Sequence, residues 1–298
     1  MGFGRRLGRV LGAGALLAVF ASGLANCAED YGSAPTETPD GSVSPGPDGQ
    51  GQGQDQDGSN PSDGGSNGDA DCPGTGGPKA IRVGTLIGNE FCVDTTEVTR
   101  AQYVDFLSSD PQPRHPRCLQ KTSFVPRNNW PPLAGEGQLP VVWVDWCDAY
   151  TFCEWAGKRL CGNVNGGGLD GGPERFNARI NQFLHACTGG GAHEYAYGND
   201  YVEGRCNGPD AAAPEPVGSR PTCQGGFDGL FDMSGNVSEL QDNCDPGELD
   251  GDGGDDACYA TSGSFIEANG FTPHRCVSEG EMKRSGAYRN LGFRCCGP

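Results

Sequence analysis

The cysteines are the sequence feature that most limits how this chain can fold. Fifteen cysteines occur in 298 residues, and fourteen remain when Cys27, close to the N-terminus, is set aside. An even number of cysteines in an exported chain predicts a disulfide framework of up to seven bridges. A zinc site would need paired CxxC spacing, which the sequence lacks. Cys295 and Cys296 are adjacent, so they either form a reducible redox pair or bond to separate partners.

The N-terminal segment predicts export. Arg5, Arg6 and Arg9 precede an apolar run from 10 to 20, which is typical of a signal peptide and too short to span a membrane. The tetrapeptide LANC, which ends at Cys27, resembles a bacterial lipobox and predicts lipidation of Cys27. The alternatives are secretion without a lipid and an uncleaved anchor. We therefore expect residues 1–27 to direct the chain to the cell envelope, lipid-anchored at the outer membrane or in the periplasm.

Residues 28–78 have the composition of a disordered tether. They carry ten acidic side chains, no basic ones and almost no large apolar residues, so they cannot bury enough surface to offset chain entropy. Without the tether and the signal arginines, −11 of the net charge of −18 belongs to residues 79–298. This acidic remainder argues against nucleic acid as a partner. Its length fits one folded domain.

Local patterns predict a mixed α+β domain with little regular structure. A capping box at Thr99 predicts a first helix, and Asp145 predicts a second that stops at Gly157. A third helix is expected from about Ala178 to Gly189. Glycine and proline interrupt the rest so often that only short strands are expected, in the runs GNEFCVDTTEV, PVVWVDW and SGSFI.

Seven short motifs occur in the order found in the sulfatase-modifying factor family. They are VDTTEVTRAQYVDFL, LPVVWVDWCDAYTFCEWAGKRL, EYAYGND, PVGS, GLFDMSGNVSEL, SGSF and LGFRC. The chain resembles the formylglycine-generating enzymes of this family across residues 82–296. The resemblance implies a C-type-lectin-like α+β fold that has little regular secondary structure and is rich in disulfides.

The resemblance also indicates where catalysis would occur. In catalytic members, two cysteines bind copper(I) and, with dioxygen, oxidise a substrate cysteine to formylglycine. The matching positions here are Glu267 and, within about one residue, Thr272, and neither supplies the soft thiolate that copper(I) requires. Ala268 stands where animal enzymes have a histidine. Ser264 matches the active-site serine, with a purely structural role as the alternative.

Calcium sites are also implied by the resemblance. One site would use two carboxylates and two backbone oxygens of a tight turn, which are ligands that calcium prefers: Asp232, Gly235, Val237 and Glu239. The alternative is that Glu239 caps a turn while Asp232 is solvated. A second site would use Asn207, the carbonyl of Gly208 and Asp210.

Cysteine pairs follow partly from the resemblance and partly from proximity. The resemblance implies the bridges Cys153–Cys295 and Cys187–Cys276. Proximity suggests Cys244–Cys258 and Cys206–Cys223. Cys161–Cys296 is expected because these two cysteines flank the Cys153–Cys295 bridge.

Two functions are compatible with these observations. The first is an envelope-tethered domain without formylglycine-generating activity that binds a protein, a peptide or a glycan. The alternative is a divergent oxidoreductase that uses copper, non-haem iron or a reversible Cys295/Cys296 pair. His115, His185, His193 and His274 form no HxxxH or HExxH pattern, although a metal triad could still form in three dimensions. Four tryptophans could line a groove or pack in the core: Trp130, Trp143, Trp146 and Trp155.

Overall fold

A computed structural model of the chain describes residues 72–85, 88–209, 211–245, 256–261, 263–266, 274–277 and 279–298. The predicted signal peptide, Cys27 and the tether up to residue 71 lie outside these ranges, as do Asp210, Glu267, Ala268 and Thr272. Within the described ranges, no helix is both long and apolar enough to cross a membrane.

Two four-stranded sheets provide the β structure. The first sheet contains β1 (Ala80–Gly84), β2 (Glu90–Asp94), β3 (Arg159–Leu160) and β8 (Cys295–Gly297) in the order β1-β2-β8-β3, with antiparallel pairing throughout. The second contains β4 (Ser238–Cys244), β5 (Ala257–Thr261), β6 (Glu279–Lys283) and β7 (Leu291–Phe293) in the order β6-β5-β4-β7. Only the β4–β7 pair of that sheet is parallel. Strands this short confirm a fold with little regular structure.

Three α-helices accompany the sheets in the described residues: α1 (Arg100–Ser108), α2 (Trp146–Trp155) and α3 (Gln182–Thr188). The first two begin at the predicted caps. The Thr99 side chain accepts a hydrogen bond from the backbone N–H of Gln102, whose side chain accepts one from the Thr99 backbone. Asp145 and Asp148 make the same reciprocal pair at α2. Each pair satisfies two backbone donors that the helix itself cannot.

The third helix begins later in the structure than the sequence predicts. It was expected from about Ala178, but α3 is capped by Asn181, whose side chain accepts from Leu184 N. The carbonyl of Ile180 instead accepts a hydrogen bond from Val164 N at 2.8 Å. The backbone before Asn181 is therefore held by a neighbouring loop and is not free to join the helix.

Two of the predicted strands are absent from the described residues. The strand predicted at 140–146 does not form: residues 140–145 are irregular because their backbone bonds to successive partners, with Val141 N donating to Val98 O and Trp143 N donating to Tyr288 O. Trp143 also has a φ of 62°, outside the extended region. Residues 263–266 are irregular and do not form the strand expected at SGSFI.

The core consists of two clusters of buried side chains. The first lies around α1 and α2 and includes Phe106, Phe152 and Phe293. The second lies around α3 and β2 and includes Phe183 and Leu230. Strand β8 contributes to both, because successive side chains of a strand point to opposite faces.

The folded part begins before the predicted boundary at residue 79. Cys72 is disulfide-bonded to Cys92 of β2, and Thr75 N donates to the carbonyl of Ala156 at 3.0 Å. Lys158 Nζ donates to the carbonyl of Pro78 at 2.6 Å. Residues 72–78, which the composition assigns to the tether, therefore lie against the domain.

Candidate functional site

Every cysteine after Cys27 is disulfide-bonded. The structure joins the two pairs implied by the resemblance, the three suggested by position, and two more that were not expected, Cys72–Cys92 and Cys118–Cys147. Since the sequence has fifteen cysteines, Cys27 is the one left over. The oxidised domain therefore has no thiolate pair of the kind that holds copper(I).

The matched active-site serine is used inside the protein. Ser264 is 3% exposed, and its Oγ accepts hydrogen bonds from Asn290 Nδ2 at 3.0 Å and from Ile266 N at 3.2 Å. The same hydroxyl donates to the carbonyl of Ile266 at 2.9 Å. A serine hydroxyl has one donor and two acceptor positions, so all three are occupied. In this arrangement Ser264 braces the turn after β5.

The positions of the family's cysteine pair, Glu267 and Thr272, lie outside the described residues. The two ends of that segment are held close together by His274, which is buried and has a φ of 64°. Its Nε2 lies 3.1 Å from the carbonyl oxygen of Ser264.

The predicted first calcium site is dominated by an ion pair. Glu239 accepts two hydrogen bonds from the guanidinium of Arg294, both at 2.7 Å, and both side chains are fully buried. Burial by itself would lower the pKa of Arg294, but the charge and hydrogen bonds of Glu239 raise it above the usual value. The guanidinium of Arg294 therefore already pairs with the charge of the Glu239 carboxylate. Calcium binding at Asp232, Gly235, Val237 and Glu239 stays a prediction.

A third buried carboxylate, which the sequence did not indicate, joins this cluster. Glu97 Oε1 accepts a hydrogen bond from Asn236 Nδ2 at 3.0 Å, whereas Oε2 has no donor among the described residues. Burial, and then the charges of Asp232 and Glu239, raise the pKa of Glu97 well above its ordinary value. Burial raises the pKa of Asp232 as well, whereas the hydrogen bond from Gly218 N, the charge of Arg294 and a hydrogen bond from Glu97 lower it. The folded state therefore binds a proton at Glu97 more tightly than the unfolded chain does.

Two residues of the predicted second calcium site, Asn207 and Gly208, make hydrogen bonds within the protein, whereas Asp210 lies outside the described residues and calcium binding there stays a prediction. Asn207 Nδ2 donates to Asn236 Oδ1 at 2.9 Å and to the carbonyl of Ala213 at 3.1 Å. The backbone carbonyl of Asn207 accepts a hydrogen bond from Asn236 N at 2.8 Å. The side-chain Oδ1 of Asn207 has no partner among the described residues. The Gly208 carbonyl accepts from Ala211 N at 2.8 Å. These bonds fix the loop to the turn that holds Asp232.

The histidines do not form a metal centre in the part of the chain that the structure describes, where no group of three or more His, Cys, Asp or Glu side chains could hold a metal ion. Trp146 packs in the core and is 1% exposed. One helical turn later, Tyr150 is half-buried and borders a cavity of about 380 Å³ together with His115. The spacing of Trp146 and Tyr150 places them on one face of α2, and this was the only sign of the cavity in the sequence.

Comparisons with known proteins agree with the order of the motifs. The family model described as "Sulfatase-modifying factor enzyme 1-like domain" matches residues 65–297. A curated relative from Mus musculus, "Inactive C-alpha-formylglycine-generating enzyme 2", is 29% identical over 195 residues, which are 57% of this chain and 55% of the relative. The chain thus spans about half the length of that relative.

Three solved structures also match over most of their length. CarF has a TM-score of 0.48 at 21% identity and covers 76% of this chain and 96% of its own. PvdO from Pseudomonas aeruginosa has a TM-score of 0.48 at 18% identity, covering 74% and 94%. Treponema denticola variable protein 1 has a TM-score of 0.46 at 16% identity, covering 75% and 93%.

The family model covers well over half of the chain, including all seven ordered motifs. The structure adds the mixed α+β organisation and the disulfide framework that the resemblance implies. The chain belongs to the sulfatase-modifying factor enzyme 1-like domain family and has its α+β, C-type-lectin-like fold.

Proposed function

We propose that the protein is an exported binding domain without formylglycine-generating activity, tethered to the cell envelope through a lipid on Cys27 and a flexible segment. Its partner is a protein, a peptide or a glycan. The observation that carries this proposal is the pairing of all fourteen cysteines after Cys27 in seven disulfides. Copper(I) chemistry of the family type needs two converging thiolates, and the oxidised domain has none to offer.

The adjacent cysteines support the same proposal. Cys295 bonds to Cys153 and Cys296 bonds to Cys161, with sequence separations of 142 and 135 residues. All four cysteines are fully buried. A reversible redox pair needs accessible sulfur atoms, since exchange begins with attack of a thiolate on one of them. The curated relative from mouse, which is called inactive, is a further family member described without the activity.

Export is supported by the disulfides, because seven bridges persist in an oxidising compartment and are rare in the cytosol. The lipid anchor has a direct test. Cys27→Ser should release the protein from the membrane fraction and abolish incorporation of a labelled fatty acid. If Cys27→Ser keeps the label and stays in the membrane fraction, Cys27 is not the anchor.

Catalytic inactivity is tested on protein that has been exported and oxidised. A thiol reagent should detect no free thiol in the domain, either folded or unfolded in denaturant without reductant. Incubated with copper and dioxygen, the protein should leave a cysteine-containing sulfatase peptide without an aldehyde, whereas a catalytic family member should produce one. Two reactive thiols, stoichiometric copper or iron in the purified protein, or aldehyde formation would contradict the proposal.

A further inference from the structure

Resting on the proposed binding role, we propose that the cavity beside Tyr150 binds one sugar unit of a neutral saccharide. We call this cavity the Tyr150 pocket, and its walls include His115, Trp146, Tyr150, Asp170, Asp242 and Arg284. Its volume of about 380 Å³ lies in the range of ligand pockets, roughly 300–1,000 Å³. The pocket combines a rigid aromatic surface with polar groups at its edge, and each part matches one property of a sugar.

The aromatic surface is fixed from below. The Tyr150 ring stacks on Trp146 with centroids 4.8 Å apart, and His115 lies 4.7 Å from Tyr150 and 5.0 Å from Trp146. Trp146 is held in turn by a buried hydrogen bond from its Nε1 to the carbonyl of Gln241 at 3.0 Å. Since Tyr150 is half-buried, part of its ring remains open to a ligand. Packing a sugar's C–H groups against such a preordered ring requires little further loss of side-chain freedom.

The polar edge includes a carboxylate that can accept a hydrogen bond from a ligand. Asp242 lies in β4 and is partly exposed. Its oxygens border Gly168, where a Cβ would lie 2.9 Å from Oδ1. The carboxylate is close enough to Tyr150 to raise the pKa of that phenol, after the larger effect of burial. A hydroxyl on a ligand seated against Tyr150 would have this carboxylate as an acceptor.

The pocket also offers a hydrogen-bond donor, the His115 ring. His115 Nδ1 accepts a hydrogen bond from Arg117 N at 3.3 Å, which leaves the proton of the neutral ring on Nε2. Burial, and then the charges of Arg284 and Arg117, lower the pKa of His115. The neutral ring is therefore the form to expect at neutral pH. Sugar hydroxyls both donate and accept, so they match a pocket that offers both kinds of group.

The charges of the lining argue against an anionic ligand. Three carboxylates line the pocket, those of Asp170, Asp242 and Asp245, and would repel an anion. Arg117 and Arg284 also line it, but both are paired with Asp256. A polyhydroxylated neutral ring avoids this repulsion and can still use the polar groups.

The test measures binding to the full exported protein by calorimetry. The neutral probes are maltotriose, mannotriose and chitotriose, and the charged comparators are trilysine and a heparin fragment. At least one neutral probe should bind, and Tyr150→Ala should weaken that binding by about tenfold or more because the stacking surface is removed. Asp242→Asn should weaken it several-fold. Tyr288→Ala, which alters an exposed tyrosine outside the pocket, should leave the Kd unchanged.

Absence of binding by all three neutral probes would overturn the proposal, as would equal affinities of Tyr150→Ala and Tyr288→Ala. If Tyr150→Ala does not fold, the isosteric Asp242→Asn carries the test, and an unchanged Kd then overturns the proposal. Binding of trilysine or heparin that depends on Tyr150 would reject a neutral saccharide and leave the binding-domain proposal intact. That proposal fails separately, through free thiols or aldehyde formation.

Discussion

Replacing Glu97 with Gln should make the domain more stable at alkaline pH while changing it little in mild acid. Gln keeps the shape of a protonated Glu97: its Oε1 can accept the hydrogen bond from Asn236 Nδ2, and its amide can donate to Asp232 as the proton does. The variant therefore fixes permanently the form that wild type reaches only by binding a proton. We expect the free energy of unfolding at pH 5 to stay within about 1 kcal/mol of wild type.

The sign follows from proton linkage. The pKa of Glu97 is raised well above 4.5 in the fold, so the folded state binds this proton more tightly than the unfolded state. The stability associated with it is complete below the unfolded pKa and is lost as pH rises through the folded pKa. Glu97→Gln removes this loss, and its advantage over wild type should grow steadily from pH 5 to pH 8. Asp94, whose pKa burial raises to about 6 against the opposing effect of Lys158, contributes the same slope to both proteins.

Glu239→Gln is the matched control, because it makes the same chemical change in the same cluster. It leaves the guanidinium of Arg294 buried without its bidentate partner, which costs about 3–5 kcal/mol and lowers the Tm by about 10 °C for a domain of this size. Urea unfolding with the disulfides intact, followed at pH 5, 6.5 and 8 in chelator, measures both variants. Equal destabilisation by Glu97→Gln at every pH would refute the reasoning, since it would mean that Glu97 is ionised in the fold.

Three further predictions concern the turn and helix termini around this cluster. Calcium added to chelated protein should raise the Tm, and Asp232→Ala should abolish that rise. If Asp232→Ala lowers the Tm equally in calcium and in chelator, the predicted calcium site is wrong. Gly235→Ala should lower stability by a few kcal/mol, because the φ is +96° and the new Cβ would lie 2.6 Å from the Asn207 carbonyl oxygen. Gly204→Ala, at φ +71° with nothing within 4 Å, should cost about 1–2 kcal/mol by the same urea assay, and an equal cost at both positions would exclude the clash. Thr99→Ala should cost about 1 kcal/mol by removing the cap of α1, and no change in urea unfolding would contradict that role.

The elements that could be predicted from sequence are those whose causes are local. The caps at Thr99 and Asp145 lie within four residues of the donors they satisfy, so the start of α1 and of α2 could be read directly. The start of α3 could not be predicted, because Val164 N, in another loop, donates a hydrogen bond to the carbonyl of Ile180. The strand predicted at 140–146 was wrong for the same reason, since its apolar residues are buried without a continuous strand partner.

For the candidate sites, too, the sequence indicated positions in the chain but not the tertiary contacts made there. Motif order indicated Ser264 and Glu239 as candidate site residues, but it could not show that Asn290 hydrogen-bonds the serine hydroxyl or that Arg294 pairs with the carboxylate. Glu97 joins the buried cluster across more than one hundred residues, through Asn236. Tyr150 and Asp242 likewise meet only when α2 packs near β4. Such contacts depend on tertiary packing, for which a single sequence carries no signal.

The adjacent cysteines at the C-terminus show how the strand geometry decides between chemistry and structure. Within β8, Cys295 and Cys296 must point to opposite faces of the sheet. Cys295 therefore enters the cluster around α2, where it bonds to Cys153, and Cys296 enters the cluster around α3, where it bonds to Cys161. A bond between the two sulfur atoms would require β8 to leave the sheet and both clusters to open. One strand thus links the two halves of the core covalently, each bridge closing a loop long enough to contribute about 5 kcal/mol in the loop-entropy model.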